Sequence, residues 1–160
     1  MSKYASDTRV TVATSKTEIE RILQRYGADQ FMHGWNAENA VIGFRVQSRF
    51  IRMVLPLPDR KDKQITHTET GKLRVQNSQN EFYEQACRQR WRALVLILKA
   101  KLEAIECGVS TIEREFLADT VMENGMTVHE WAEPQLREMY QNGKMPPLLP
   151  GVAQLRISAS

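Results

Sequence analysis

The sequence predicts an α+β domain in which a small antiparallel N-terminal sheet with one early helix packs against a long central helix and C-terminal helices. Three observations predict this class. Strand-like alternation of apolar residues fills much of the N-terminal half, helical spacing of apolar residues fills the rest, and 160 residues suffice for one domain with a hydrophobic core. We therefore expect residues 1–160 to form a single domain with a β-α-β-β-β region at 8–57, a polar loop at 58–77, a helical region at 78–143 and an extended tail at 144–160.

The first two elements are a predicted strand and a predicted helix. The stretch TRVTVAT at Thr8–Thr14 alternates and is rich in β-branched residues, which favours a strand. In the following SKTEIERILQRYG, Ser15 and Glu18 have the spacing of a capping box and predict a helix that begins there. Gly27 supplies the glycine that often ends a helix.

A strand and a hairpin complete the predicted sheet. FMHGW at 31–35 has the character of a strand, and a polar turn follows at 36–39. AVIGFRVQSRFIRMVLPLP then predicts a hairpin with Gln47 and Ser48 as its two turn residues. A further short strand is expected around Ile65–Thr68.

The hairpin register places its side chains on two faces. One face is predicted to cover the core and comprises Ile42, Phe44, Val46, Ile51 and Met53. The opposite face carries Arg45, Phe50 and Arg52, with Arg45 across from Phe50. An aromatic residue between two arginines is therefore predicted on the outer side of the sheet.

The stretch RQRWRALVLILKAK at 88–101 belongs to the predicted central helix, which a capping box of Ser78 with Glu81 begins and Gly108 ends. Its broad apolar face contains Cys87, Trp91, Leu94, Val95, Leu98, Leu102 and Ile105. A narrower face of mostly small side chains contains Ala86, Ala93, Ile97, Ala100 and Ala104. Two apolar faces predict a helix that is covered from two sides. On the charged stripe, which faces water, we expect ion pairs of Glu84 with Arg88 and of Lys99 with Glu103.

The C-terminal part of the chain contains two further helix starts. Capping boxes occur at Ser110 with Glu113 and at Thr127 with Glu130. The second of these helices is predicted to end at Gly143. Between the two helices, the ENG triplet at 123–125 predicts a tight turn that joins two very short strands.

The composition permits nucleic-acid binding without requiring it. The net charge is +3 and the pI is about 9.0, a mild excess of basic residues. The N-terminus lacks the apolar segment of a signal peptide, and the longest apolar run is too short to cross a bilayer. We therefore expect a cytoplasmic protein without membrane contact, located in the host cytoplasm if a phage encodes it.

No group of residues in the sequence specifies a catalytic chemistry. The three histidines, His33, His67 and His129, lie in separate predicted elements, and neither cysteine has a partner at the spacing of a zinc site. Motifs for phosphate loops and for nucleophilic serines are absent. We expect no metal, no cofactor and no catalytic residues, although enzyme families without such motifs stay open.

The leading hypothesis is a nucleic-acid interface on the outer side of the sheet. Positive side chains around an exposed aromatic suit single-stranded nucleic acid, because phosphates need charge and bases can stack. The candidate residues are Arg45, Phe50 and Arg52 on the sheet, with Arg60, Lys61 and Lys63 in the following loop. The alternative is an ordinary solvent-exposed sheet face, on which the aliphatic parts of the arginine side chains pack against the phenylalanine.

The second hypothesis is association with a protein, including a second copy of the chain. The small-residue face of the central helix, the aromatics of the last helix and the proline-rich segment could each contact a partner. The candidate interface residues are Ala93, Ile97, Ala100, Trp131, Tyr140 and Leu148. An internal core would account for the same residues.

Four stretches carry a resemblance to a group of known proteins. They are YGADQFMHGW, RMVLPLPDR, QACRQRWRALVLILKAKLEAIE and YQNGKMPPLLPG. Through them, and from about Thr8 to Gly151, the chain resembles small hypothetical proteins of bacteriophages and prophages. No activity or catalytic residue of that group carries over. The resemblance implies an accessory protein that contacts nucleic acid, assists replication or recombination, or disables a host protein. The leading hypothesis is thus a phage-type accessory protein that binds nucleic acid without catalysis, and its alternative is a module that binds or inhibits a host or phage protein. A binder of small phosphorylated ligands is a further alternative and would require a closed basic pocket.

Overall fold

The chain folds in the order α-β-β-β, followed by helices. The computed structural model describes residues 7–143. The strands are β1 (Gln30–Trp35), β2 (Asn39–Val46) and β3 (Arg49–Pro56). The helices are α1 (Val12–Arg25), α2 (Lys63–Thr66), α3 (Gln76–Glu106), α4 (Ile112–Glu115) and α5 (Val128–Asn142). This arrangement confirms the predicted α+β class.

The sheet is antiparallel, with its strands in the order β1-β2-β3. The predicted hairpin register is confirmed, because Arg45 pairs with Phe50 and Gly43 with Arg52. The turn residues Gln47 and Ser48 both have positive φ, 47° and 63°. Positive φ at both positions is characteristic of the type I′ turn, whose twist matches that of the two strands.

The core lies between one face of the sheet, called the inner face, and helices α1 and α3. Inner-face residues Phe44 and Ile51 are fully buried, as is Leu98 of α3. Phe44 also meets Phe116 edge to face, with ring centroids 5.6 Å apart, an arrangement that aromatic pairs prefer. The broad apolar face of α3 therefore packs as expected: its buried residues are Trp91, Leu94, Val95, Leu98 and Leu102.

The predicted strand at Thr8–Thr14 and the predicted cap at Ser15 are both wrong. Helix α1 already begins at Val12, and its N-cap is Thr11, whose side chain accepts a hydrogen bond from the backbone N–H of Thr14 at 3.1 Å. Ser15 lies inside the helix and is fully buried. The helix starts early because Ser15 and Val12 continue the inward-facing stripe one and two turns before Ile19. The N-terminal region is therefore α-β-β-β.

Two predictions between β3 and α3 are also wrong. Ile65–Thr68 was expected to be a strand, but Asp62 caps the short helix α2, which buries Ile65. Helix α3 begins at Gln76, and its N-cap Val75 makes no side-chain capping bond, so Ser78 with Glu81 does not start it. Propensity for a strand or a cap is a weak local preference that tertiary contacts override.

The C-terminal capping boxes have different outcomes. At α4 the N-cap is Thr111, which accepts from the N–H of Arg114, so the capping box predicted at Ser110 with Glu113 is wrong and the cap lies one residue later. At α5 the predicted box of Thr127 with Glu130 is confirmed in both directions. The helix ends at Gly143, as predicted, with φ of 64°.

The tight turn at 123–125 is confirmed. Gly125 has φ of 80°, and the backbone of Met122 bonds that of Met126 across the turn at 2.8 Å. An isolated bridge pairs Val121 with Thr127. Positive φ explains the glycine, since residues with a Cβ rarely adopt that conformation.

One of the two predicted ion pairs on α3 is present and the other is replaced. Glu84 lies 3.8 Å from Arg88, as expected. Lys99 instead pairs with Glu18 of α1 at 2.5 Å, and Arg92 pairs with the other oxygen of the same carboxylate at 2.5 Å. The charged stripe of α3 therefore faces α1 in part, and the expected pair of Lys99 with Glu103 is wrong.

Candidate nucleic-acid interface

Arg45, Phe50 and Arg52 lie together on the side of the sheet that faces away from the core. We call this side the outer sheet face; its strand residues are Gln30, Met32, Gly34, Asn39, Val41, Gly43, Arg45, Phe50, Arg52, Val54 and Pro56. The Phe50 side chain is 42% exposed. The predicted juxtaposition of one exposed aromatic ring with two arginines is therefore present.

Arg45 is held by an ion pair at one end of this face. Its Nε and Nη2 donate to the carboxylate of Asp29 at 2.8 and 2.6 Å. This hydrogen bond with Arg45 holds the pKa of Asp29 below its ordinary value and raises the pKa of Arg45. Such a two-point pair fixes the orientation of the guanidinium group. It also offsets the charge of that group.

Arg52 is held in a similar way by the C-terminal part of the chain. Its Nη1 donates to the carbonyl of Gly125 at 3.0 Å, and its Nη2 donates to Glu130 at 2.6 Å. The backbone N–H of Thr127 also bonds this carboxylate, and that bond is the first cause of the lowered pKa of Glu130. Both arginines of the outer sheet face are thus rigidly placed and largely neutralised.

Exposed apolar side chains also lie on the outer sheet face near the two arginines. Met32 is 60% exposed, and Val54 is exposed beside the arginine positions. Met32 lies over Gly43, where an added Cβ would stand 3.0 Å from the Met32 Cγ. A side chain at position 43 would therefore displace Met32. The glycine allows a flat apolar surface between the two arginines.

The loop residues of the predicted interface lie elsewhere. Arg60 stacks on the ring of Tyr83 at 3.8 Å and donates to Asn80, both on α3. Because α3 packs on the inner face of the sheet, Arg60 does not extend the outer sheet face. Lys61 and Lys63 follow Arg60 in the same exposed loop and at the start of α2. The six candidate residues therefore form two separate groups.

The candidate protein-interface residues are mainly exposed. Ala93 and Ala100 are exposed on α3, and Ile97 is 47% exposed, so the described elements leave this helix face uncovered. On α5, Trp131 is half-buried and Tyr140 is 82% exposed. Leu148 lies outside the described residues. The prediction that α3 is covered on two sides therefore holds for one side only within residues 7–143.

Strand β1 carries an aromatic row that was not predicted from the sequence. Phe31, His33 and Trp35 follow one another along the strand, with ring centroids 5.9 and 6.2 Å apart. The ammonium of Lys16 lies 4.5 Å from the Trp35 ring and 4.9 Å from the Trp91 ring. The signal was present in FMHGW, because alternate residues of a strand share one face. Trp35 remains 69% exposed.

A groove between α1 and α3 is relevant to the alternative that the protein binds a small phosphorylated ligand. It has a volume of about 600 Å³ and is open to solvent. Its basic residues are Arg21, Arg25 and Lys99, but Glu18 also lines it and already binds Lys99. This groove is not the closed basic pocket that a phosphorylated ligand would require.

Within residues 7–143, no group of three or more histidine, cysteine, aspartate or glutamate side chains could hold a metal ion. No helix in this range is long and apolar enough to cross a membrane. Cys87 and Cys107 are free thiols. Comparison of the chain with protein-family models, with curated proteins and with solved structures finds no match.

Proposed function

We propose that the protein binds single-stranded nucleic acid on the outer sheet face, without catalysis, as an accessory protein of the phage type. The observation that carries this proposal is the exposed ring of Phe50 between two oriented guanidinium groups, Arg45 and Arg52. The outward-facing strand positions include no acidic residue. A base can stack on the ring while phosphates meet the arginines.

Each arginine keeps donors outside its ion pair. Arg45 uses Nε and Nη2 for Asp29, and Arg52 uses Nη1 and Nη2 for Gly125 and Glu130. The remaining N–H groups can donate to a phosphate. Since the two carboxylates offset the two charges, the expected binding is weak at physiological salt. With two phosphate contacts, log K should fall against log salt with a slope of about −1.4 for a single strand.

The test is fluorescence anisotropy of labelled single-stranded and duplex oligonucleotides with protein purified free of nucleic acid. We expect binding that favours single strands and weakens at least fivefold in Phe50→Ala and in Arg52→Ala. Arg137→Ala, which removes an exposed arginine of α5, serves as the matched control. Equal affinity for the three variants would show that the outer sheet face is not the site.

A charge-releasing pair of variants makes this test sharper. Glu130→Gln and Asp29→Asn retain the size and hydrogen-bonding capacity of each side chain but remove the offsetting charge. Glutamine also suits the capping box of α5. If the arginines contact phosphate, both variants should bind more tightly than the wild type and with a steeper dependence on salt. Unchanged affinity in both variants would contradict a phosphate role for these arginines.

A second candidate function is a protein-interaction module that binds or inhibits a host or phage protein. The observation in its favour is that no side chain of α5 is fully buried, although Trp131, Leu136 and Tyr140 lie on it. A helix whose apolar residues stay accessible suits docking in a partner's groove. Co-purification with tagged wild type and with Leu136→Ala/Tyr140→Ala separates the candidates. A host protein captured by the wild type alone, without salt-sensitive oligonucleotide binding, favours this second function.

A further inference from the structure

Strand β1 is the open edge of the sheet. Part of the far edge of β3 is already occupied by backbone hydrogen bonds. The Arg52 N–H donates to the backbone carbonyl of Asp119, and the Val121 N–H donates to that of Phe50, each at 2.8 Å. β1 pairs with β2 on one side, and no other strand of residues 7–143 joins it. The β3 edge is therefore paired at Phe50 and Arg52, whereas β1 has no strand partner on its open side within residues 7–143.

The backbone groups on this open edge can be assigned. The Asn36 N–H points towards β2, where it bonds the carbonyl of Asn39 at 2.9 Å. Backbone groups of an antiparallel strand alternate in direction with a period of two residues. The N–H and C=O groups of Phe31, His33 and Trp35 therefore point away from β2, towards solvent.

β1 also lacks the features that usually keep an edge strand from pairing. Its sequence, QFMHGW, contains no lysine, arginine, acidic residue or proline, and its register with β2 continues without a bulge. Natural edge strands usually carry such protective features. Here the exposed edge presents the largely exposed Met32 and Trp35. An uncharged, regular, aromatic edge favours the addition of another strand.

We propose that β1 pairs antiparallel with β1 of a second copy of this chain, so that two sheets join into one across a two-fold axis. An axis normal to the sheet places residues of the same face opposite each other. In the register proposed here, His33 faces His33 of the second copy at the axis. Phe31 then faces the second copy's Trp35, and Met32 faces its Gly34.

Three features of the chain select this register and this occupant. In this register the backbone groups of Phe31, His33 and Trp35 all form hydrogen bonds with the second copy, whereas a register centred on Met32 leaves those of Trp35 unpaired. The space above Gly34 is empty to 4 Å around an added Cβ, so the Met32 side chain has room there. Phe31 and Trp35 form an aromatic cross-strand pair, a favourable combination on sheets.

Charge at the ends of the strand is also compatible with self-pairing. Lys16 lies on the Trp35 ring at one end of β1, and Asp29, which is paired with Arg45, precedes β1 at the other end. Antiparallel pairing places the Lys16 end of one copy beside the Asp29 end of the other. No like charges oppose each other along the strand. A six-residue edge is a small interface, so the expected dimer dissociates on dilution.

The inference does not rest on the proposed function, because the sheet edge and the outer sheet face are different surfaces. Sedimentation velocity over a wide range of protein concentration tests it. We expect the wild type to pass from monomer to dimer as its concentration rises. His33→Glu places two carboxylates opposite each other at the axis and should raise the dissociation constant of the dimer at least tenfold. Val54→Glu places the same charge on β3, at the opposite side of the sheet from β1, and should dimerise like the wild type. Thermal unfolding of both variants checks that they fold.

Three results would overturn the proposal. One is a wild type that stays monomeric at every concentration. Another is a His33→Glu variant whose dimer has the same dissociation constant as that of Val54→Glu. The third is a dimer lost in Ile97→Glu and retained in His33→Glu, which would place the interface on the uncovered face of α3. The register has its own test, since directly opposed Cα atoms lie within disulfide range. In a Cys107→Ser background, mild oxidation should cross-link His33→Cys and not Met32→Cys, and the reverse result would refute this register.

Discussion

The Glu130 carboxylate joins the cap of α5 to the sheet, because its Oε2 accepts from Arg52 Nη2 at 2.6 Å and from the Thr127 N–H at 2.7 Å. Glu130 lies in the first turn of α5, while Arg52 lies on β3, 78 residues earlier in the chain. One oxygen atom therefore serves both a local cap and a long-range ion pair. The position of α5 and the orientation of Arg52 depend on the same group.

We expect Glu130→Ala to lower the free energy of unfolding by about 1–2 kcal/mol, because it removes half of the capping box and leaves Arg52 without its carboxylate. Urea unfolding measures the effect. Glu133→Ala is the matched control in the same helix, since Glu133 only forms an exposed pair with Arg137 at 3.0 Å and should cost less than about 0.5 kcal/mol. Equal losses in the two variants would contradict the joint role of Glu130.

The ion pairs of Glu18 should make the stability of the protein depend on pH. Its hydrogen bond with Lys99 is the first cause of a pKa below the ordinary value of 4.5, and Arg92 adds to the effect. The folded protein therefore takes up a proton on Glu18 less readily than the unfolded chain. The two ion pairs contribute fully above pH 4.5 and lose their contribution as pH falls through the lowered folded-state pKa.

The measurement is urea unfolding of the wild type and of Glu18→Gln at about pH 6.5 and about pH 3. At the higher pH the variant should be less stable by about 1 kcal/mol. At the lower pH the gap should be smaller, since protonation of the Glu18 carboxyl reduces what its ion pairs contribute. Glu20→Gln, an exposed position on the same helix, is the control. A gap that does not narrow on acidification would exclude the ion pairs as its source.

Two substitutions in the hairpin turn should stabilise the protein. Gln47 and Ser48 both hold positive φ, which is unfavourable for residues with a Cβ. Replacing them by Asn and Gly, the preferred residues of a type I′ turn, should raise the free energy of unfolding by about 1 kcal/mol. Thermal unfolding provides the measurement. Ser48→Ala keeps a Cβ at positive φ and should give no gain, so stabilisation by alanine as well would argue against this explanation.

Neighbouring residues of α3 should differ sharply in their contribution to stability. Leu98 is fully buried and Ile97 is 47% exposed. Leu98→Ala should cost about 2–5 kcal/mol because it leaves a cavity in the core, and Ile97→Ala should cost less than about 1 kcal/mol. Denaturant titration compares the two variants. A comparable loss at both positions would indicate that a partner covers the small-residue face of α3.

The hairpin shows which part of the fold local sequence can specify. Alternation along β2 and β3 leaves one register that keeps charged side chains out of the core, so Gln47 and Ser48 were correctly predicted as the turn. Capping boxes were less informative. The box at Thr127 is real, but Ser15 has the same spacing and is buried inside α1. The continued apolar stripe at Val12 was the better signal there.

The electrostatic character of the candidate site could not be read from the sequence. Arg45 and Arg52 were correctly placed on the outer sheet face, but their partners, Asp29 and Glu130, come from other elements. Only the folded chain brings these groups within hydrogen-bonding distance. Net charge therefore says little about the field at one face, because each arginine is offset by a carboxylate distant in sequence.

The two halves of α3 have different consequences for how this protein can diversify. All buried residues of the helix lie from Trp91 onward. The first half meets the segment before it through stacking of Arg60 on Tyr83 and of Arg74 on Phe82. Substitutions in this half can alter the surface without opening the core. Related sequences should therefore drift fastest at this end of the helix, where new recognition properties can evolve at little cost to folding.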